Sequence, residues 1–233
     1  MKSTDDLTEI AVFGARGHSR MILRGLEEYW RGRVRIRALI DDIEHGFEHP
    51  ALRVPVISSD RRLAAFAGLP VLLTVTNPGL RRRVAARLET EGAVLATAIC
   101  PDRLNLDPDA RFGPGAVCMP WTRVGPDVEV GACTILLAST VAHDVTIGAF
   151  STVAGEALIS GHVRIGSGVN IAPRAVIANG TRKRWLSIGD EAEIGIGATV
   201  LSNVAPGQRL IGNPAMPVRD WVRLRRLARG QDG

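Results

Sequence analysis

The sequence predicts an α/β protein in two parts, a small domain on a mainly parallel sheet and then a parallel β-helix. Two observations predict it. Up to about residue 100, short apolar runs alternate with helix-like stretches, which is the pattern of βαβ units. From about residue 106 one apolar residue recurs every six, a period that neither a helix nor a hairpin sheet explains. The expected division is 1–103 for the first domain, 104–215 for the β-helix, and 216–233 for a basic tail with a short helix.

In the first domain the runs at 10–13, 36–40, 71–75 and 93–98 read as strands, and 21–30 and 80–88 read as helices. This is a Rossmann-like alternation. Gly14-Ala15-Arg16-Gly17 is too short for the dinucleotide fingerprint GxGxxG. A tight strand-to-helix turn with free N–H groups and Arg16 can still receive a diphosphate, and His18 follows where a phosphate or sugar would sit. Asp41 and Asp42, at the end of the second strand, can accept hydrogen bonds from a nucleoside. The same residues also fit a structural turn that binds nothing.

In the second part the recurring positions are Leu106, Phe112, Cys118, Val124, Val130, Ile135, Val141, Ile147, Val153, Ile159, Ile165, Ile171 and Ile177, then Ile188, Ile194 and Val200. The register slips by one residue between Val130 and Ile135, and five extra residues precede Ile188. Four places after each position stands a small or β-branched residue, such as Ala116, Ser151, Ala175 or Ala198. A three-sided solenoid accounts for this, with each hexapeptide as one side, the aliphatic residue inside, and the small residue near the corner. Three hexads make a coil, so the run gives about five coils and a prism on the order of 24 Å long.

Composition narrows the function classes. The 233 residues are 45% hydrophobic and 23% charged, a profile of globular chains. No stretch approaches the apolar length of a membrane helix, and the first ten residues lack a secretory apolar region. A cytoplasmic protein is expected, with no membrane partner. Cys100, Cys118 and Cys133 fit neither a disulfide framework nor a metal site. The net charge of +5 comes with only four Trp and one Tyr to stack on bases; phosphorylated small molecules explain it better than nucleic acid.

Several motifs carry a family resemblance. They are Val12-Phe13-Gly14-Ala15-Arg16-Gly17-His18-Ser19, Asp41-Asp42, Asn77 with Arg81 and Arg82, the segment from Ala142-His143-Asp144 to Gly148, and Ile211-Gly212-Asn213-Pro214-Ala215. Together with the hexads and in this order, they resemble the sugar O- and N-acyltransferases, the hexapeptide-repeat group that includes sialic acid O-acetyltransferases and bacterial nucleotide-aminosugar N-acetyltransferases. Arg16, Cys100, Thr152 and Ala142 depart from the residues usual there. The resemblance implies a left-handed β-helix and an acetyl-CoA-dependent transferase. It places a sugar nucleotide on the first domain through Gly14, Arg16, Gly17, His18, Asp41, Asp42, Asn77 and Arg81, and acetyl-CoA near Thr152, Gly155, Gly161, Gly212, Asn213 and Pro214. It also implies a homotrimer with the acyl-CoA between adjacent β-helices, and outward apolar residues such as Trp121, Leu136 and Leu137 would seek cover there.

Acetyl transfer from a thioester needs a base for the attacking amine or hydroxyl and a donor for the oxyanion. His143 lies in a polar break between Val141 and Ile147 and can face outward as that base. Asp144 can orient its ring. One coil of eighteen residues on stands Gly161, expected to leave room for the thioester and to offer its N–H to the acetyl oxygen. His162 is not expected to join His143 at a metal, because the three-imidazole set of zinc sites on such coils is missing; no metal cofactor is expected. The arginines of Arg182-Lys183-Arg184 and of 223–229 can meet CoA phosphates or simply be solvated. N-acetylation of a nucleotide-linked aminosugar leads, with O-acetylation of a sugar hydroxyl next and a non-catalytic binding protein last.

Overall fold

The computed structural model describes residues 7–100 and 105–228; the expected boundary at 103/104 lies outside them. The chain opens with β1 (Glu9–Phe13), α1 (His18–Trp30), β2 (Arg35–Ile40), β3 (Phe47–Glu48), β4 (Pro55–Ile57), α2 (Ser59–Phe66), β5 (Val71–Leu73) and α3 (Pro78–Thr90). The sheet has the order β3-β4-β2-β1-β5 and is parallel except for β3. β1 shows why the buried runs of this sheet are apolar. Ile10 and Val12 pack in the core that holds Ile22, Leu23 and Leu26 of α1, and Ala11 and Phe13 pack in the one that holds Val84, Ala85 and Leu88 of α3. Both faces are covered, so polar alternation is lost. Asn77 caps α3 by accepting from the Leu80 N–H at 2.8 Å, with Pro78 in the first turn.

The fourth expected strand, 93–98, does not join this sheet as a strand. Leu95 makes a single bridge to Val71, and β6 (Ala98–Ile99) pairs with Val117–Cys118 instead. Ala96, Thr97 and Ala98 are buried where the chain crosses from one body to the other, while Val94 stays 50% exposed.

From residue 111 to residue 211 the chain winds through three parallel sheets, each strand pairing with the strand one turn later. The face that carries the site holds Val128–Val130, Val145–Ile147 and Val163–Ile165. The inward residues form one continuous core from Cys118 to Leu210. One assignment changes. Leu136, not Ile135, points inward, and the one-residue slip falls between Leu136 and Val141. Ile135, Leu136 and Leu137 are all buried, because the outer pair packs with α1 under the first domain; periodicity cannot choose among three apolar neighbours. Leu136 and Leu137 therefore do not await a partner subunit, whereas Trp121 remains 72% exposed.

Corners follow a rule of their own. Three places after most inward positions, though not after Leu106, Ile177 or Val200, the residue has positive φ: Trp121, Asp127, Cys133, Asp144, Phe150, Glu156, His162, Arg174 and Glu191 all lie between 53° and 64°. After Leu136 it is Ala138, two places on, where the missing residue was removed. Left-handed backbone is uncommon for residues with a Cβ, and here the ladders on both sides impose it.

Among the contacts that join the bodies, those of Gly25 and Arg81 stand out. Gly25 of α1 lets the helix approach the coil, since a Cβ there would stand 2.7 Å from Met119 Cε. Arg81, fully buried, donates to the carbonyls of Cys133, Val75, Phe150 and Ser151 and to Thr152 Oγ1 at 2.6–3.0 Å. At the far end the strand Arg209–Ile211 pairs antiparallel with Met216–Pro217 and leads into α4 (Val218–Ala228), which buries no residue. Among the described residues no helix is long and apolar enough to cross a membrane.

Candidate active site on the coil

His143, Asp144 and His162 come together at one edge of the coil. Asp144 and His162 occupy equivalent corners one turn apart, with φ of 53° and 56°. The turns are stacked by backbone bonds from the Val163 N–H to Asp144 O and from the His162 N–H to His143 O. The corner geometry turns these side chains out of the core. His143 Nδ1 lies 2.7 Å from Asp144 Oδ2, and half of the imidazole remains exposed. That bond holds the Asp144 carboxyl below the usual carboxylate range, with the charges of His162, His143 and Arg182 adding to it. With the carboxylate ionised, Nδ1 carries the proton and Nε2 presents a lone pair.

His162 is the residue that sequence spacing missed. Its ring stands edge-on to His143, with centroids 5.3 Å apart, and its Nδ1 is 3.7 Å from Asp144 Oδ2. Trp185 lies on its other side at 5.5 Å, beneath the Arg164 guanidinium. Counting eighteen from His143 gives Gly161, but counting from corner to corner pairs Asp144 with His162; the missing signal was the corner position.

Gly161 is placed differently from the expectation. A Cβ there would fall 2.6 Å from Cε1 of His143, so the space left by the absent side chain is taken by the imidazole itself. Its N–H donates to Asn179 Oδ1 at 3.2 Å and is not free. Asn179 also lines a cavity of about 400 Å³ beside the site, with Gly180, Arg184, Trp185 and Leu201. The five-residue insertion, closed by the Thr181–Arg184 bridge, builds this wall.

The remaining expected residues are spread over the molecule. Thr152 is buried, donating to Thr76 O and accepting from Arg81; both belong to the joint between the bodies. Gly155 lines another cleft, of about 640 Å³, with Met21, Trp121, Leu137 and Arg174. Gly212 turns with φ 101° near the Trp221 ring, and the Asn213–Pro214 peptide is cis.

In the first domain, Gly14 is needed for packing, because a Cβ would stand 2.6 Å from Thr74 Oγ1. Gly17 precedes α1, which His18 opens. Arg16 grips Asp41 through two hydrogen bonds of 2.7 and 3.0 Å and reaches Glu44. Burial alone would raise the Asp41 carboxyl, but Arg16 and the N–H groups of Glu44 and Ile43 hold it below its ordinary value. Asp42 accepts from the Ser59 N–H and hydroxyl, securing the start of α2, and Asn77 is the α3 cap. Asp41, Asp42 and Asn77 thus already hold the domain together.

No family model matches the chain. GDP-perosamine N-acetyltransferase from Escherichia coli O157:H7 is 32% identical over 148 residues, 63% of this chain and 66% of that protein. WeeI from Acinetobacter baumannii AYE superposes with a TM-score of 0.78 at 26% identity, covering 90% of this chain and all of that one. With the coil already traced, that full-length agreement decides the matter. The chain belongs to the hexapeptide-repeat transferases. Its fold is also that of the acetyltransferase domain of PglB from Neisseria gonorrhoeae FA1090, solved in complex with acetyl coenzyme A, at a TM-score of 0.76 and 24% identity over 91% of this chain and 99% of that one. The chain spans 23% to 66% of the lengths of the curated relatives it matches.

Proposed function

We propose that this chain transfers an acetyl group from acetyl-CoA to the amino group of a nucleotide-linked aminosugar, with His143 as general base. The observation that carries the reading is the exposed His143 ring held through Nδ1 by the ionised Asp144 at 2.7 Å on a rigid corner. The PglB domain's acetyl coenzyme A and the GDP-perosamine specificity named for the Escherichia coli relative support the donor and the acceptor class.

In this reading the neutral amine attacks the thioester carbonyl while Nε2 of His143 takes its proton, and Asp144 stabilises the imidazolium that forms. Collapse of the tetrahedral intermediate breaks the C–S bond, and the proton passes to the CoA sulfur, leaving an amide and a free thiol. Gly161 can serve the oxyanion only once Asn179 releases its N–H. The coil is taken as left-handed and the chain as a cytoplasmic homotrimer. The division remains 1–103 for a Rossmann-like nucleotide-holding domain, 104–215 for the coil and 216–233 for the tail. Arg16 meets a diphosphate by exchanging it for Asp41 and Glu44.

The test is acetyl-CoA turnover against a panel of amino sugars and their nucleotide conjugates. His143→Ala is expected to lower turnover about 10²- to 10⁴-fold with the melting temperature unchanged; full activity in this variant removes the base role.

A further inference from the structure

We infer that His143, Asp144 and His162 form a binding site for a divalent transition-metal cation, and that such a cation inhibits the chain rather than serving it. Among the described residues these three are the one group of His, Cys, Asp or Glu side chains whose donor atoms converge, one from each lying within 4.8 Å of the others. Asp144 Oδ2 sits between two imidazole nitrogens, 2.7 Å from His143 Nδ1 and 3.7 Å from His162 Nδ1. The second nitrogen is buried and has no hydrogen-bond partner. A buried polar atom left unpaired costs free energy, and a cation between these donors supplies the missing partner.

Two imidazoles and a carboxylate, with open positions on one side, are a donor set of zinc and of iron(II). Bonds of about 2.0–2.1 Å in tetrahedral geometry set donors roughly 3.3 Å apart, a separation bracketed by the two distances above. His162 is the fixed member, held between His143 and Trp185. His143 and Asp144 are 54% and 37% exposed and free to adjust. Arg182 is close enough for its charge to reach Asp144 and opposes a cation, but it is exposed and screened, so it weakens the site without closing it. Competing thiols are absent from the described surface: Cys100, Cys118 and Cys133 are all buried, and burial pushes their thiols up, to about 12 for Cys100 and about 11 for Cys133.

Inhibition follows from the tautomer. With Nδ1 of His143 on the metal, the neutral ring carries its proton on Nε2, the atom that must be empty to accept the proton of the attacking amine. Asp144 is drawn from the ring to the metal at the same time. The inhibitory half rests on His143 being the base; the binding half does not.

The experiment titrates zinc chloride calorimetrically into the full-length, chelator-treated protein and into His162→Phe, which keeps a ring between His143 and Trp185 but has no donor. His162→Asn, whose side chain suits a φ of 56°, is run beside it in case the Phe variant does not fold. The expected result is one zinc per chain in the wild type and at least about tenfold weaker binding in the variants, a lost ligand costing no less than a lost outer-shell partner. Zinc should lower wild-type turnover, read as acetylated product by mass, and EDTA should restore it. Each variant should keep, when zinc is added, whatever turnover it shows without it. No binding, or equal affinity in wild type and variants, overturns the site. Zinc stimulation, or loss of turnover in EDTA, overturns the inhibitory half. A chain inactive on every aminosugar would sink the proposed function, while calorimetry would still decide the metal site.

Discussion

At the scale of single residues, the polar groups of the first domain show that side chains suited to a ligand are also suited to building a turn. Asp41 illustrates the point. Arg16 and two backbone N–H groups hold it below its ordinary value, so its folded form binds its proton less readily than the unfolded chain does. Such a group stabilises the fold above the unfolded-state value, about 3.9, and loses that contribution as pH falls through the lower folded value. Asp41→Asn is therefore expected to lower the urea midpoint at pH 7 and at pH 5 alike, and the gap from wild type should close as the pH drops below 4. A gap that stays constant down to pH 3 would show that the carboxylate charge contributes nothing.

At the scale of elements, Arg81 is the strut of the structure. Burial pushes its guanidinium down to about 10, still protonated at neutral pH, and four carbonyls from both bodies take its hydrogen bonds. Replacing it with Met strands those carbonyls, at a cost of roughly 3–5 kcal/mol given about 1.5–3 for each bond to a charged group and incomplete additivity. The expected drop in melting temperature is on the order of 10 °C, and Arg81→Lys should recover little because an ammonium cannot span the fork. A shift below 2 °C in the Met variant would mean that the two bodies are held by apolar packing alone. Arg81 also shows where sequence reading stops. The hexads, the five turns and the strand-helix alternation were legible because each is a short-range period. His143 and Asp144 were legible as a polar break in that period. What was not legible depends on contacts between the bodies: Arg81 and Thr152 pair across 71 residues, and Ile135 and Leu137 are apolar because α1 covers them. His162 fell between the two cases, since its place becomes visible only when corners, rather than inward positions, are counted.

At the scale of the whole molecule, the first domain covers one side of the coil and leaves an apolar cleft at its margin. Trp121 stands 72% exposed at a corner, Met21 of α1 is 58% exposed, and both line the cleft that contains Gly155. Large apolar side chains gathered at one exposed place favour burial against another surface, and a second and third copy of the chain supply it in the proposed trimer. Light scattering of the purified protein should give three times the mass of one chain. Trp121→Asn tests the contact without straining the fold, because Asn tolerates the φ of 64° that Trp121 adopts. The variant should dissociate at micromolar concentration while keeping its melting profile as a monomer. If the active site needs two chains, its turnover should fall in proportion to the fraction dissociated. A wild-type protein that is monomeric at full activity would show instead that the cleft is an open groove and that each coil works alone.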